Sequence, residues 1–313
     1  MIISKKLKRI EEYHEPCYFY NMFRLRFDAN FNNILAYPCC ILSAKFNEIE
    51  PIVKLSKDDI YKIPDLYEYL NNKFNTYTKK IKTYFACNKL TGLTHVPEYC
   101  EFNTYNNEGL KKIQVSLSTT CNLNCIMCRD KIYHDSKEVE DLYFLVLEKI
   151  KKHNLHSIEL TALGEPFFYK KRTFEYLNSL TKNDTNQVLI ISNATLLNDD
   201  DINQLAKINN TVKIEMQISF HSIKEETYKK IMNNNLYNKV LHNILLLNKY
   251  NLIKNINYVI QKENINDLID TYYFFKNQNI KFSPIIVNYV NYDSYKYITN
   301  HPIYKEYLKI SNS

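Results

Sequence analysis

Short apolar runs and longer amphipathic segments alternate along the chain from about residue 112. Apolar, β-branched runs of about four to eight residues indicate strands, whereas apolar residues that recur every three to four positions indicate helices. The strands that this pattern predicts are 112–119, 157–163, 187–192, 212–220, 255–261 and 282–288. The helices predicted between them lie near 138–152, 168–180, 198–208, 224–233, 236–250 and 265–278.

The regular alternation of strands and helices predicts an α/β fold with a parallel sheet. Right-handed crossovers would curl the six units into a partial (βα)6 barrel over residues 112–290. The first part of the chain differs, because two extended runs flank residues 30–33 as in a hairpin, and a helical segment with a break near Pro64 follows. We therefore predict a small α+β module at 1–111 and a short helix in the tail, 291–313, packed against the barrel.

Composition and charge narrow the class of protein. The formal charge of +7 is spread over the chain, and without a basic block or recognised motif we expect no nucleic-acid partner. No apolar run reaches the roughly 18 residues that span a bilayer, so we expect no membrane association. The charged N-terminus lacks the apolar core of a secretory signal, which predicts a cytoplasmic protein with reduced cysteines or metal ligands rather than disulfides. With only three glycines, Asn must serve at turns that need a positive φ.

Cys121, Cys125 and Cys128 form the most informative motif in the sequence. They follow the first predicted strand of the barrel, and thiolates at this spacing can converge from one loop onto one metal centre. Three ligands would leave one corner of a four-iron cluster open for a small molecule. A zinc site is the alternative, and it would need a fourth ligand, for which His134 is nearest.

The cysteine run resembles the CxxxCxxC motif of the radical S-adenosylmethionine (radical SAM) enzymes. In that family each cysteine binds one iron of a [4Fe-4S] cluster, and SAM chelates the open iron. Met127 occupies the position before the last cysteine, where the family commonly has an aromatic residue that packs on the adenine. The resemblance implies a [4Fe-4S] cluster and SAM as cofactors. It also implies an enzyme that forms a 5′-deoxyadenosyl radical for hydrogen abstraction.

Two further motifs follow the second and third predicted strands. Gly164, Glu165 and Pro166 resemble the family's GGEP motif, whose backbone and Glu hold the ammonium group of SAM, although the first glycine is absent here. The run SNAT at 192–195 resembles the family's TNG or SNG turn, with alanine in place of glycine. The resemblance implies that Asn193 contacts SAM.

The run after the fourth predicted strand resembles SxDGxxxETYxxIR. Ser219 matches the serine whose hydroxyl reaches the ribose or carboxylate of SAM, whereas His221 replaces the common Asp and Met232 the common Arg. Near the end of the fifth strand, Val259 and Ile260 fall where apolar residues flank the adenine in the family. We take Ile260 as the candidate adenine contact.

The remaining cysteines precede the predicted barrel. Part of this region resembles a SPASM-type auxiliary cluster region, which normally follows the barrel. Our hypothesis is a second iron–sulfur cluster held by some of Cys39, Cys40, Cys87 and Cys100, with buried inert thiols or a zinc site as the alternatives.

The motifs together predict a radical SAM enzyme. The SPASM-like traits favour a peptide or protein substrate, and a sugar, nucleotide or small metabolite is the alternative within the family. The partner that the resemblance implies is a reductant such as flavodoxin or ferredoxin. Two hypotheses outside this family stay open: an iron–sulfur protein that only transfers electrons or senses redox state, and a zinc-dependent enzyme.

Overall fold

A computed structural model describes most of the chain. The residues it describes are 22–27, 33–37, 51–80, 109–116, 118, 120–128, 136–161, 164–286 and 292–311. Their strands form one nine-stranded sheet in the order β3-β2-β1-β4-β5-β6-β7-β8-β9. The strands are β1 (Met22–Phe27), β2 (Asn33–Tyr37), β3 (Val53–Ser56), β4 (Lys112–Ser116), β5 (Ser157–Thr161), β6 (Gln187–Ser192), β7 (Lys213–Ser219), β8 (Ile253–Ile260) and β9 (Phe282–Ile286).

The α-helices lie between and after these strands. They are α1 (Lys57–Lys62), α2 (Leu66–Lys80), α3 (Lys137–Lys149), α4 (Lys170–Ser179), α5 (Asp199–Ile208), α6 (Glu225–Met232), α7 (Tyr237–Lys249), α8 (Leu268–Asn277), α9 (Tyr292–Asn300) and α10 (Pro302–Ser311). Short 3-10 helices precede α4 and α8, at Pro166–Tyr169 and Ile265–Asp267. Within the described residues, no helix is both long and apolar enough to cross a membrane.

Strands β4 to β9 pair in parallel and in chain order. Each pair is joined through at least one helix, which confirms the predicted α/β class with a parallel sheet. The predicted strands are all present, and the first of them spans Lys112–Ser116.

The N-terminal strands extend the same sheet. Strands β1 and β2 form the predicted hairpin, and β1 also pairs in parallel with β4. The predicted break near Pro64 separates α1 from α2, since Ile63 takes the extended conformation that a following proline favours. The sheet is thus continuous across residue 111, and the division into a module at 1–111, a core at 112–290 and a tail stays a prediction.

Helix ends follow the local chemistry of the sequence. Asn198 caps α5 by accepting a hydrogen bond from the Asp201 N–H at 2.9 Å, and the Asp201 carboxylate accepts the Asn198 N–H at 2.8 Å. Asparagines take the left-handed turns as expected, at Asn154, Asn233, Asn251 and Asn279. The tail contains two helices instead of one, and the second begins at Pro302, a favoured first position of a helix.

The two faces of the parallel sheet differ in polarity. Side chains alternate along each strand, and the face that carries Ile113, Ile158 and Ile214 packs against the helices in the main hydrophobic core. The opposite face carries polar side chains, among them Gln114, which donates to the Glu159 carboxylate at 3.1 Å. Parallel βα folds bind their ligands at the carboxyl edge of the sheet.

Candidate functional site

The cysteine loop lies at the carboxyl edge of the sheet and is anchored on two sides. The Glu165 N–H donates to the Thr120 carbonyl at 2.9 Å, which joins the loop to the turn after β5. The Ile126 N–H donates to the Ile231 carbonyl at 2.9 Å, which joins it to the last turn of α6. Cys121 and Cys125 are half-buried and Cys128 is exposed. Cys121 and Cys125 therefore lie between two anchored positions of the loop, and Cys128 follows the second.

Burial opposes ionisation of the free thiols. It raises the pKa of Cys121, and it raises the pKa of Cys125 to about 12, with a further rise from the neighbouring cysteines. These thiols stay protonated at neutral pH unless a cation replaces the protons, which is the usual coupling of metal binding to proton release.

The cysteine loop supplies three thiols, the number that a [4Fe-4S] cluster with one open iron requires. In the parts of the chain that the structure describes, no three side chains of His, Cys, Asp or Glu are grouped closely enough to hold a single metal ion. A [4Fe-4S] cluster makes a different demand, because each thiolate binds its own iron. Three cysteines in one loop meet that demand.

Glu165 ties together the turns after β5 and β6. Its side chain is 1% exposed and accepts hydrogen bonds from the Ser192 hydroxyl at 2.7 Å, the Asn193 N–H at 2.8 Å and the Phe167 N–H at 3.2 Å. Burial raises the pKa of Glu165 to about 7, although the three donors act against the rise. Gly164 is half-buried and Pro166 is buried. The roles of Gly164, Glu165 and Pro166 in binding SAM stay predictions.

The turn after β6 contacts the cysteine loop through Asn193. Its Nδ2 lies 3.8 Å from the Cys121 sulfur and 3.2 Å from Oδ1 of Asn122. The next residue, Ala194, keeps a left-handed backbone with a φ of 58°. The turn thus retains the conformation that the expected glycine would favour, in spite of the substitution.

Asn243 on α7 holds this turn through hydrogen bonds. The sequence motifs did not identify this residue. Its side chain is 1% exposed, and Nδ2 donates to the carbonyls of Ala194 at 2.9 Å and Leu197 at 3.1 Å. An asparagine within an apolar helix pattern is the signal that could have identified it, because a buried amide needs partners.

The remaining candidate residues occupy different environments. Ser219 ends β7 and is half-buried, and Met127 packs partly buried against the main core. Ile260 is 2% exposed and packs with Tyr258 in a second core cluster that also holds residues of α8, α9 and α10. Side chains alternate on β8, so Val259 and Ser219 share the polar face of the sheet, whereas Ile260 faces the helices. The predicted contacts of Met127, Ser219 and Ile260 with SAM remain untested.

His221 joins the ends of β7 and β8. Its Nδ1 accepts the Val259 N–H at 3.1 Å, and Asn264 donates to the carbonyls of both His221 and Val259 at 2.9 Å. Burial lowers the pKa of His221 to about 3, so the ring is neutral at physiological pH. The contact shows a structural role for the residue that replaces the common Asp.

Several predicted ligands lie outside the described residues. These are Cys39, Cys40, Cys87 and Cys100 of the hypothetical second cluster, and His134 of the zinc alternative. The second cluster and the SPASM-like region therefore stay predictions.

A comparison with protein families decides the affiliation. The model of the radical SAM superfamily matches residues 115–275, which span the cysteine loop, the turns after β5 and β6 and the end of β8. The chain belongs to the radical SAM superfamily. It is accordingly an enzyme of a family whose members bind a [4Fe-4S] cluster and SAM.

Relatives within the radical SAM superfamily differ in activity. The chain is 28% identical over 192 residues to the cysteine-type anaerobic sulfatase-maturating enzyme of Clostridium novyi, covering 54% of this chain and 48% of the relative. It is 27% identical over 164 residues to a probable GTP 3′,8-cyclase of Saccharolobus islandicus, covering 50% of this chain and 49% of the relative. The chain spans about half the length of the curated relatives it matches.

One solved structure matches this chain at low identity. Streptococcus suis SuiB bound to the precursor peptide SuiA is 18% identical, with a TM-score of 0.43 over 56% of this chain and 38% of that one.

Proposed function

We propose that this protein cleaves SAM reductively at a [4Fe-4S] cluster held by Cys121, Cys125 and Cys128. The observation that carries the proposal is the cysteine loop itself, hydrogen-bonded to the Glu165 turn and to the last turn of α6 at the carboxyl edge of the parallel sheet. The three cysteines would each hold one iron, and the bound cluster would supply the single electron that cleaves SAM at its bond to C5′ into methionine and a 5′-deoxyadenosyl radical for hydrogen abstraction.

In this proposal the residues of the chain bind the cluster and SAM, orient them, and exclude water from the site. The three thiols lose their protons to solvent as iron binds, and two of them are half-buried, which limits access of water. We propose six of the candidates identified from the motifs as the SAM-binding set: Met127, Gly164, Glu165, Pro166, Asn193 and Ser219. Ile260 is left out, because its side chain is buried among the helices on the opposite face of β8. Of the six, Ser219 has its hydroxyl on the polar face of the sheet, at the same edge as the cysteine loop.

The polar side chains on one face of the sheet favour the hypothesis of a polar substrate. Gln114 and Glu159 form a buried hydrogen-bonded pair there, and Asn255 donates to Asn257 at 2.7 Å on β8. Our proposal is a peptide or protein substrate, with a nucleotide as the second candidate, since one similar relative is a sulfatase-maturating enzyme and another a probable GTP cyclase. The proposed electron source is a low-potential one-electron donor such as flavodoxin or ferredoxin.

The decisive experiment measures 5′-deoxyadenosine released from SAM by anaerobically reconstituted protein with dithionite. We expect release from the wild type and none from a Cys121→Ala, Cys125→Ala, Cys128→Ala variant. Cys17→Ala is the matched control, because it removes a thiol outside the motif and should retain release. A wild-type protein that carries a full cluster and releases no 5′-deoxyadenosine would refute the proposal in favour of electron transfer or redox sensing.

The second cluster needs a separate measurement. Cys87→Ala and Cys100→Ala variants should contain less iron and sulfide per chain than the wild type if these residues are ligands. An unchanged iron count would exclude them, and zinc found in place of iron would support the zinc alternative.

A further inference from the structure

The sulfur of Cys121 receives two N–H groups from its surroundings. The backbone N–H of Leu123 lies 3.4 Å from Sγ, and Nδ2 of Asn193 lies 3.8 Å from it. The first donor belongs to the cysteine loop itself and accompanies any residue at that position. The second is a side chain from another strand end, and it is 8% exposed. A substitution at Asn193 can therefore remove this donor without changing the cysteine loop.

The surroundings of Cys125 differ. Its sulfur lies 3.7 Å from the thioether sulfur of Met232 and 4.0 Å from the Met232 carbonyl oxygen. Neither group can donate a hydrogen bond to a thiolate. The two half-buried sulfurs of the motif thus have unequal side-chain environments, one with an amide donor and one with a thioether.

The orientation of the Asn193 amide is fixed by its neighbours. Oδ1 accepts the backbone N–H of Thr195 at 2.9 Å and the Thr195 hydroxyl at 2.6 Å. Nδ2 also donates to Oδ1 of Asn122 at 3.2 Å. A flipped amide would place its oxygen against Oδ1 of Asn122 and its nitrogen against the donors of Thr195. The arrangement therefore directs N–H, not oxygen, toward the Cys121 sulfur.

We propose that the Asn193 amide raises the reduction potential of the cluster by donating a hydrogen bond to the Cys121 thiolate. The inference rests on the proposed function, because it requires the three cysteines to hold a [4Fe-4S] cluster. Reduction adds one electron from a low-potential donor without making or breaking a bond, so the cluster and its thiolates gain one negative charge. An N–H donor stabilises the more negative state, and hydrogen bonds to the sulfurs are among the determinants of cluster potential.

This role makes Asn193 a positioning residue that acts through Cys121. It differs from the contact with SAM that the motif implies, and the two roles are separable. A hydrogen bond to the thiolate acts on the potential when SAM is absent, whereas a residue that only contacts SAM has no effect under that condition.

The test is a potentiometric titration of the reconstituted protein without SAM or substrate, with the reduced cluster followed by electron paramagnetic resonance. Asn193→Asp keeps an oxygen for Thr195 and removes the N–H donor, and Asn193→Ala removes the donor without adding charge. Both should have a more negative midpoint, with an equilibrium constant for reduction about tenfold lower, which corresponds to about 59 mV for one electron. The larger shift is expected for Asn193→Asp.

Thr195→Ser is the matched control. It changes a residue of the same turn but keeps the hydroxyl that donates to Oδ1 of Asn193, so the Asn193 nitrogen stays beside Cys121 and the midpoint should match that of the wild type. Iron and sulfide analysis shows that each variant carries a full cluster. A wild-type midpoint in a fully loaded Asn193→Ala protein would overturn the inference and leave the proposed function intact. A wild-type protein that assembles no cluster would refute the proposed function itself.

Discussion

The hydroxyl of Ser192 donates a hydrogen bond of 2.7 Å to Oε1 of Glu165, and both side chains are almost fully buried. The bond connects the last residue of β6 to the turn after β5. The same carboxylate accepts the Asn193 N–H, while the Glu165 N–H reaches the Thr120 carbonyl of the cysteine loop. One acidic residue therefore aligns three of the loops that form the candidate cofactor site.

Loss of this carboxylate should destabilise the protein. Glu165→Ala leaves the Ser192 hydroxyl and the N–H groups of Phe167 and Asn193 without their acceptor, so we expect the free energy of unfolding to fall by about 2–3 kcal/mol. Urea denaturation of the protein at neutral pH measures the change. Glu175→Ala is the control, since that side chain is 60% exposed and should change stability by less than about 0.5 kcal/mol. Equal losses in both variants would contradict the assignment.

His221 should make stability depend on pH. Because burial lowers its pKa from 6.5 to about 3, the unfolded chain binds a proton between these values that the folded protein does not. Stability due to this residue should therefore decrease as the pH falls from about 6.5 toward 3, by at most about 1.4 kcal/mol per pH unit. Urea unfolding at about pH 7.5, 6.5, 5.5 and 4.5 gives the slope for the wild type and for His221→Asn. The variant should lack this contribution, and parallel curves for the two proteins would show the prediction to be wrong.

The buried amide of Asn243 offers a matched pair of substitutions on one helix. Asn243→Asp replaces the donor to the Ala194 and Leu197 carbonyls with a carboxylate oxygen, and should cost about 3 kcal/mol or more. Asn248→Asp makes the same chemical change on α7, where the amide donates to the Gln278 carbonyl near solvent, and should cost less than about 1 kcal/mol. Thermal or urea unfolding compares the two. Similar losses would mean that Asn243 does not hold the turn after β6.

The left-handed backbone at Ala194 predicts which residues the turn tolerates. Ala194→Gly relieves the steric cost of a φ of 58° but loses a buried methyl group, so stability should stay within about 1 kcal/mol of the wild type. Ala194→Val adds branching in a fully buried left-handed position and should lose more than about 2 kcal/mol. Unfolding free energies test both, and a valine variant as stable as the glycine variant would exclude a left-handed conformation here.

Local pattern was sufficient for much of the fold. The strands and helices of residues 112–286 were predictable because apolar periodicity and helix caps are properties of neighbouring residues, as Asn198 and Asp201 show at the start of α5. The pairing of β1 with β4 was not predictable in this way. It joins segments far apart in sequence, and neither strand pattern specifies its partner.

The candidate site shows the same division. Its cysteines were recognisable from their spacing and the turn at Gly164 from its resemblance to the family motif. The contact between Asn193 and Cys121 was not recognisable, since 72 positions separate the two residues. Likewise the motif near the end of β8 did not distinguish Val259 from Ile260. Only the strand pairing of β8 shows that Val259 lies on the polar face and that Ile260 packs among the helices.

The sequence by itself determined the order of the βα units, the three thiols and their family resemblance, because each depends on residues close together in the chain. Only the tertiary structure shows that the Glu165 carboxylate accepts a hydrogen bond from the end of β6. It also shows that Asn243 holds the turn at Ala194 and that His221 joins two strand ends. These contacts are made by polar groups that burial forces to find partners. Which partner each one finds is settled only when the sheet and helices pack.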